Sequence, residues 1–255
     1  MPPVREVFVY RTAEALTDGA ASFLLDALKR HAVPPRFVLA LSGGETPKAV
    51  YRAMATRQEA SALFNDKAVL FFSDERTVPP DHDQSNYGAA RKYLLEPLAI
   101  RSEIVHRIHG ESPDPTAEAS RYAMAIREIV QSSSVDVPRL DLTMLGMGED
   151  GHTASLFPDF AFDSGIENLV AAPYVAKVGS YRISFSLSLI NASRQVLFLV
   201  SGQQKAPMLK KVLCNEANEY IPPAARVNAE RTVWLLDAAA ASQLDGQMVS
   251  FREVT

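Results

Sequence analysis

The amino-acid sequence predicts an α/β fold with a mostly parallel sheet flanked by helices on both faces. Short apolar runs, typical of buried strands, alternate along the chain with longer segments compatible with helices. Hydrophobic residues make up 47% of the 255 residues, which is enough to bury a large core. Several apolar runs end abruptly in small and polar residues. Strands and helices that alternate in this way form parallel sheets.

Seven apolar runs predict the strands of this sheet. Each run is far shorter than the ~20 residues that a helix needs to cross a bilayer, so no transmembrane helix is expected. The predicted strands are Glu6–Tyr10, Phe37–Leu41, Ala68–Phe72, Leu140–Leu145, Arg182–Leu187, Gln195–Val200 and Thr232–Leu236.

The longer segments between these runs predict helices. Several begin with proline or a small polar residue, which suits the first turn of a helix. A run of alanines at residues 238–241 predicts one further short helix near the C-terminus. The clearest predicted helices are Ala13–Arg30, Pro47–Arg57, Tyr87–Leu95, Pro115–Gln131 and Lys205–Val212.

Composition and charge exclude several classes of function. The net charge is -4, and no run of basic residues is present, which disfavours a nucleic-acid or membrane surface. Five histidines and one cysteine show no spacing typical of zinc ligands, so no metal is expected. The N-terminal residues lack a basic stretch followed by an apolar block, and a cytoplasmic location is therefore expected.

The sequence shows no boundary between domains. Residues 112–115 and 132–138 are rich in turn-forming residues, but each segment is too short for a convincing linker. No repeat at a fixed period is present. We therefore expect one domain spanning residues 1–255.

Four predicted strands end in loops of small and polar residues. In open α/β sheets, ligands bind beyond the carboxyl ends of the strands, so we expect these loops to converge on one cleft. They are the glycine loop SGGETP (42–47), the arginine loop SDER (73–76), the histidine loop GMGEDGH (146–152) and the lysine loop SGQQK (201–205).

The glycine loop is suited to binding one phosphate group. Paired glycines let the backbone approach a ligand closely, and Pro47 suits the start of a helix whose N-terminus attracts anions. The alternative is that the glycines only form a tight turn. The loop lacks the Lys-Ser or Lys-Thr pair of nucleotide-binding P-loops. Its candidate ligand-binding residues are Ser42, Gly43, Gly44 and Thr46.

Basic and acidic residues near the other strand ends extend this candidate site. Arg76 can grip phosphate oxygens with its planar guanidinium, and one of the two preceding acids, Asp74 or Glu75, can orient a sugar hydroxyl or Arg76 itself. The alternative for the acid and the arginine is a solvated salt bridge. Asn86 suits the start of the following helix and is a possible supporting residue. Arg182 and Lys205 lie beside predicted strand ends, although either could be an ordinary surface charge.

The histidine loop contains the candidate proton-transfer residue. Its glycines match the G-x-G-x-x-G dinucleotide pattern, but Pro158 interrupts the helix that such a site requires. His152 follows Asp150 and Gly151 in a flexible turn, and an imidazole titrates near neutrality. It can take a proton from water and return it to a leaving oxygen. The alternative is a histidine that only forms hydrogen bonds. Asp150 is a possible supporting residue, whereas His82 is interpreted as a loop residue rather than a catalyst.

Taken together, these loops closely resemble the glucosamine-6-phosphate isomerase/6-phosphogluconolactonase family. The similarity rests on the glycine loop, on SDERTVP (73–79), on SNY (85–87) and on LGMGEDGHTASLFP (145–158). It continues in the same order through RIS (182–184), GQQKA (202–206), PAARV (223–227) and WLLD (234–237), and so covers nearly the whole chain.

The resemblance implies a Rossmann-like fold of the glucosamine-6-phosphate deaminase/ribose-5-phosphate isomerase/CoA-transferase type, in a monomer. It also implies hydrolysis of 6-phosphoglucono-1,5-lactone, without metal or organic cofactor, in the oxidative pentose phosphate pathway. The substrate would be a small sugar phosphate. By this analogy His152 is the general base and Asp74 positions the substrate. The clamp on the phosphate and substrate would comprise Arg76, Arg182, Lys205 and the turn Ser42, Gly43 and Gly44.

Two other functions are consistent with parts of this pattern. The sibling activity of the family, isomerisation and deamination of glucosamine 6-phosphate, also uses an Asp-Gly-His turn. Deaminases place a glutamate before the proline that follows this turn, whereas this chain has Phe157 before Pro158, which favours the lactonase. A non-catalytic sugar-phosphate-binding module would keep the clamp alone, and the retention of His152 and Asp74 disfavours it.

Overall fold

The computed structural model describes residues 4–32, 36–131, 136–158, 168–214, 220–245 and 251–254. Its strands are β1 (Val4–Tyr10), β2 (Phe37–Leu41), β3 (Ala68–Phe72), β4 (Asp74–Arg76), β5 (Leu142–Leu145), β6 (Val170–Ala171), β7 (Tyr174–Val175), β8 (Ser180–Phe185), β9 (Gln195–Val200), β10 (Arg231–Asp237) and β11 (Phe251–Val254). Its α-helices are α1 (Ala13–Arg30), α2 (Glu45–Ala55), α3 (Ala60–Lys67), α4 (Asn86–Ala90), α5 (Pro115–Val130), α6 (Leu187–Ala192) and α7 (Ala206–Leu213).

The main sheet has seven described strands in the order β11-β1-β10-β9-β5-β2-β3. Every neighbouring pair in this sheet is parallel, which confirms the predicted parallel α/β architecture. Because all the strands point the same way, their carboxyl ends meet at one edge. The glycine, histidine and lysine loops leave β2, β5 and β9 at that edge.

The core explains why the strand predictions for this sheet succeed. All five residues of β2 and all five of β3 are buried, so both read as continuous apolar runs. In the middle of the sheet, the rings of Phe198 and Trp234 stack with centroids 3.8 Å apart. Helix α1 buries Leu16, Ala20 and Leu24, which recur at a spacing of four residues on one face. The alternation of strand and helix therefore follows directly from burial.

A second, small sheet is antiparallel, and it includes residues 74–76 of the arginine loop as strand β4. Strand β8 pairs with β4 on one side and with β6 on the other, and β7 pairs with another part of β8. Helix α5 packs against β6 and β8. The backbone N–H of Phe185 donates to the carbonyl of Ser73 at 2.8 Å, which joins this sheet to the end of β3.

Two predictions of secondary structure are wrong, one in its bounds and its sheet and the other in its type. The strand predicted at Arg182–Leu187 is β8, which begins earlier and belongs to the antiparallel sheet because it pairs with the short polar strand β4. The alanine run at residues 238–241 forms turns rather than a helix. The carboxylate of Asp237 accepts the N–H of Ala240 at 2.7 Å, and this hydrogen bond caps the start of these turns.

Candidate active site

A cavity of about 360 Å³ lies at the carboxyl edge of the main sheet, and all four loops contribute to its lining. The expected convergence of the loops is therefore confirmed. Nine of the residues singled out from the sequence line it, namely Ser42, Gly43, Gly44, Thr46, Asp74, Arg76, Asn86, His152 and Lys205.

The glycine loop is held by its backbone. The hydroxyl of Tyr51 donates to the carbonyl of Ser42 at 2.6 Å and accepts the N–H of Ser42 at 3.2 Å. Gly44 has φ +105° and forms the N-cap of α2. A Cβ on Gly43 would lie 1.8 Å from the amide oxygen of Asn86. Both glycines are therefore required, and they bring the positive end of the α2 dipole to the cavity.

Asp74 is buried, and both of its oxygens accept hydrogen bonds. The amide of Asn86 donates to Oδ1 at 3.1 Å and to the Asp74 carbonyl at 2.9 Å. The hydroxyl of Ser155 donates to Oδ2 at 2.7 Å. These contacts fix the carboxylate within the cavity, with lone pairs left for a ligand hydroxyl. Asn86 was predicted from the sequence as a possible supporting residue, whereas Ser155 was not.

The neighbouring acid, Glu75, has a structural role instead. Its carboxylate accepts the backbone N–H groups of Arg76, Asn86 and Tyr87 at 2.7 to 2.8 Å and the hydroxyl of Ser85 at 3.0 Å. Burial raises the pKa of Glu75, although these backbone hydrogen bonds oppose the rise. The contacts join β4 to the start of α4, and they distinguish the two acids that precede the arginine.

The cavity contains two cations that none of the described carboxylates pairs with. Arg76 donates from Nη1 to the carbonyl of Gln84 at 2.6 Å, and no ion pair to a described acid accompanies it. Lys205 ends the lysine loop and, within the described part of the chain, likewise has no acidic partner. The solvated salt bridge considered for Asp74 and Arg76 is therefore not formed. Two such cations favour an anionic ligand.

Arg182 does not line this cavity. It lies directly opposite Arg76 in the antiparallel pairing of β4 with β8. Its Nη1 donates to the hydroxyl of Ser180 at 2.6 Å and to the carbonyl of Tyr181 at 2.9 Å. Burial lowers the pKa of Arg182, and the charge of Arg76 adds to this effect. The sequence analysis placed Arg182 at the start of a predicted strand beside the candidate site, and in the structure that strand is β8 of the antiparallel sheet.

His152 is held on three sides by its own loop and by Phe157. Its Nδ1 lies 2.5 Å from Oδ1 of Asp150. The ring of Phe157 stacks on the imidazole with centroids 4.3 Å apart. A Cβ on Gly148 would lie 2.1 Å from Nδ1, so only glycine allows this ring position. Gly151 has φ +81° and turns the chain between the acid and the histidine.

Asp150 links His152 to Lys177, which lies in the 3-10 turn between β7 and β8. The ammonium of Lys177 lies 2.6 Å from Oδ2 of Asp150. Burial alone raises the pKa of Asp150, but hydrogen bonds from Lys177 and His152 outweigh it and hold the pKa well below its ordinary value. The ionised carboxylate assigns the proton of the neutral imidazole to Nδ1. Nε2 has no hydrogen-bond partner among the described residues and can accept a proton.

The lysine loop is organised by an acid at the end of β10. The carboxylate of Asp237 accepts the hydroxyl of Ser201 at 2.5 Å and the N–H of Gly202 at 3.1 Å. Gly202 has φ +99°. This arrangement sets the turn that carries Lys205. Sequence reasoning missed this role, although an acid immediately after an apolar strand, in WLLD (234–237), was the available signal.

The described residues include no group of three or more His, Cys, Asp or Glu side chains that could hold a metal ion. Within the same ranges, none of the helices has the length and apolar character needed to span a membrane.

The sequence of this chain is similar to those of known proteins over most of its length. Residues 11–234 match the model of the family described as glucosamine-6-phosphate isomerases/6-phosphogluconolactonase. The chain belongs to this family. It is 38% identical over 210 residues to the 6-phosphogluconolactonase of Nostoc sp., covering 82% of this chain and 85% of that protein. It is 37% identical over 212 residues to the human 6-phosphogluconolactonase, covering 82% of this chain and 81% of that protein.

A solved structure of the same family has the same fold. The 6-phosphogluconolactonase from Trypanosoma cruzi superposes with a TM-score of 0.84 at 25% identity, over 96% of this chain and 98% of that one. The family membership and fold that the sequence implied are therefore confirmed.

Proposed function

We propose that this protein hydrolyses 6-phosphoglucono-1,5-lactone to 6-phosphogluconate, the second step of the oxidative pentose phosphate pathway. The observation that carries the proposal is the position of His152. Asp150 holds its Nδ1, and its Nε2 remains available in a cavity that also contains Arg76 and Lys205. The relatives described above, which match more than four-fifths of the chain, bear the name of this enzyme.

In this proposal the phosphate binds at the cationic part of the cavity. Arg76 and Lys205 supply charge, and Ser42, Gly43, Gly44 and Thr46 supply hydroxyl and backbone donors at the start of α2. Arg182 adds positive charge behind Arg76. Like charges directly opposite each other on a sheet are unfavourable, so a phosphate beside this arginine pair relieves their repulsion. Such anchoring orients the remote lactone for attack.

The chemical step uses His152 as a base and then as an acid. Nε2 takes a proton from water while the water oxygen adds to the lactone carbonyl carbon, and the carbonyl electron pair moves onto its oxygen. When the tetrahedral intermediate collapses, the bond to the ring oxygen breaks and that oxygen takes the proton from Nε2. The products are a free hydroxyl and a carboxylic acid. The carboxylate of Asp150 stabilises the transient imidazolium.

Asp74 is proposed to position the sugar. Its carboxylate is fixed by Asn86 and Ser155, so it can accept a hydrogen bond from a substrate hydroxyl without reorganising. Such preorganised contacts lower the entropy lost on reaching the reactive geometry.

The stacking of Phe157 on His152 favours the lactonase over the sibling deaminase. By the family resemblance, a deaminase carries a glutamate at this place in the sequence. Here an apolar ring covers one face of the imidazole, with centroids 4.3 Å apart. No second proton-transfer group is therefore supplied from this position, and lactone hydrolysis needs only one.

A paired assay tests this assignment. The purified protein, with a metal chelator present, is given the lactone in one reaction and glucosamine 6-phosphate in another. We expect loss of lactone well above its spontaneous hydrolysis, and no release of ammonia. Ammonia release without lactone hydrolysis would assign the sibling activity. Saturable binding of 6-phosphogluconate without turnover of either substrate would assign a binding module.

We further propose that residues 1–255 fold as one domain that acts as a monomer in the cytoplasm without a metal or cofactor. The bonding of the two sheets to each other near Ser73 supports a single folding unit. Sedimentation equilibrium measures the oligomeric state, and one cooperative calorimetric transition is the expected result for one domain.

A further inference from the structure

A second cavity, of about 480 Å³, lies away from the catalytic residues and is larger than the catalytic cavity of about 360 Å³. It is bounded by Tyr87 of α4, the π-helical turn Arg91–Leu95, the segment from Ala99 to His109, and Arg121 of α5. None of the residues proposed for lactone hydrolysis lines it. Its volume lies within the range of roughly 300 to 1,000 Å³ that is usual for small-molecule sites.

The charged residues that line this cavity are mainly basic. Arg91, Arg107 and Arg121 are among them, against the single lining carboxylate of Glu96. Among the described residues Arg91 pairs with Glu96, at 3.4 Å between two partly exposed side chains. Because exposed ion pairs of this kind are weak, a ligand can replace Glu96 at little cost.

The other two arginines are fixed in place by acids behind the cavity. Glu111 binds Arg107 through two hydrogen bonds of 2.7 and 2.9 Å. Glu118, which is buried, binds Nε and Nη2 of Arg121 at 2.7 and 2.6 Å. Nη1 of Arg121 has no partner among the described residues. Fixed guanidinium groups with donors left over are suited to phosphate oxygens.

The remaining lining residues offer flat and apolar surfaces. Leu95, Ile100 and Val105 are apolar, and Tyr87 contributes an aromatic ring. The ring of His106 stacks on Phe71 through one face, with centroids 5.0 Å apart. Burial lowers the pKa of His106, and the charge of Arg121 adds to this, whereas the charge of Glu128 opposes it. Its ring nitrogens have no hydrogen-bond partner in the described part of the chain.

The backbone around this cavity departs from regular geometry. The N–H of Ile100 donates to the carbonyl of Leu95, five residues earlier, at 2.9 Å. Ala99 lies in the left-handed region with φ +48°. Turns of the π type and strained non-glycine residues are both enriched at functional sites. Both occur in the wall of this cavity.

We propose that this cavity binds a nucleoside monophosphate. The base lies against the apolar wall beside His106 and Tyr87, and the phosphate binds Arg91 and Arg121. A sugar phosphate without a base would leave the apolar wall and the aromatic rings uncovered, so the lining favours a ligand with a flat ring. The proposal does not depend on the function assigned to the catalytic cavity.

Isothermal titration calorimetry on the full chain tests this site. AMP is the probe, and adenosine and inorganic phosphate are the two partial ligands. We expect saturable binding of AMP, with each partial ligand binding at least about tenfold more weakly, because each makes only half of the contacts.

Two variants test the location without disturbing the core. Ser102 and Arg91 lie at the cavity rim and are not buried. We expect Ser102→Trp to abolish AMP binding by filling the cavity, and Arg91→Ala to weaken it about tenfold, equivalent to about 1.4 kcal/mol. Arg139→Ala is the matched control, since Arg139 is an exposed arginine, paired with Glu230, outside the cavity.

Three results would overturn the proposal. The first is no binding of AMP at millimolar concentration. The second is unchanged AMP affinity in Ser102→Trp, in a variant whose melting temperature matches that of the wild type. The third is displacement of AMP by 6-phosphogluconate with unchanged binding in Arg91→Ala, which would place the nucleotide in the catalytic cavity.

Discussion

The glycine loop and the histidine loop face the same cavity but are built in different ways. The glycine loop is fixed through its backbone: Tyr51 binds both the N–H and the carbonyl of Ser42. In the histidine loop, one side chain is held by another, and His152 depends on Asp150, which in turn is held by Lys177. In the proposed mechanism the glycine loop therefore offers the phosphate main-chain donors beside the charged side chains of Arg76 and Lys205, whereas proton transfer depends on a network of side chains.

This difference predicts how substitutions divide between binding and chemistry. Changes around the histidine loop should act mainly on kcat, because they remove or reorient the group that moves the proton. Changes around the glycine and lysine loops should act mainly on KM, or on folding where the backbone cannot adapt.

His152→Ala should lower kcat for lactone hydrolysis by about 10² to 10⁴, the usual contribution of a positioned acid–base group, and change KM by less than about threefold. Steady-state kinetics against the spontaneous rate measure this. His82→Ala is the control, because His82 is an exposed loop histidine. A kcat in the His152 variant within threefold of the wild type would contradict the distinction between the loops.

Gly43→Ala should destabilise the protein by about 1 to 3 kcal/mol, the usual cost of overpacking. The new methyl group would meet the amide of Asn86, which also holds Asp74, so we expect KM to rise together with the loss of stability. Urea unfolding measures the stability. Gly146→Ala is the stability control, since a Cβ there meets no atom within 4 Å. Equal stability of the two variants would show that the glycine loop adapts freely.

Lys205→Met should raise KM for the lactone about tenfold, a loss of about 1.4 kcal/mol of binding, with kcat changed less than about threefold. The substitution keeps the length of the side chain and removes its charge. Lys211→Met, at an exposed position of α7, is the matched control. A fall in kcat with unchanged KM would show that Lys205 acts in the chemical step and not in substrate binding.

Lys177→Met should have the smallest effect, lowering kcat a few-fold and the free energy of unfolding at pH 7 by about 0.5 kcal/mol, because the ion pair with Asp150 is partly exposed. The pKa of Asp150 is depressed in the folded protein, so the stability it contributes is present above the ordinary carboxyl pKa. That stability is lost as the pH falls through the folded pKa.

The pH dependence of the stability of Lys177→Met follows from the lowered pKa of Asp150. Removing Lys177 leaves the pKa of Asp150 less depressed. On acidification the variant therefore loses the stability contributed by ionised Asp150 at a higher pH than the wild type does. The difference from wild type should be constant from pH 7 to about pH 4 and shrink in stronger acid. Urea unfolding across this range measures it. Lys177→Arg keeps the charge and should match the wild type, and an equal loss in that variant would argue against the ion pair.

The sequence predicts the strands that are buried apolar runs, but not the polar strand that forms by pairing with a distant segment. Strands β2, β3 and β9 have the bounds that their apolar runs predict, because each is buried within the main sheet. Strand β4 was missed because its three residues, Asp74, Glu75 and Arg76, are polar and take their strand form from pairing with β8. A strand defined by a partner more than 100 residues away leaves no periodic pattern.

The same limit applies to the candidate site. Residues that meet the ligand cavity directly could be predicted, since small and polar residues at strand ends are visible in the sequence. The residues that hold them could not. Lys177 and Ser155 reach Asp150 and Asp74 across 27 and 81 residues of chain. Nothing local marks such a lysine or serine as different from an exposed one.

The most direct test of the central claim compares wild type and His152→Ala in one lactone-hydrolysis progress curve, with a metal chelator present throughout. The account predicts that the wild type consumes the lactone far faster than buffer alone and that the variant approaches the buffer rate. A wild type no faster than buffer, or a variant as fast as the wild type, would contradict it.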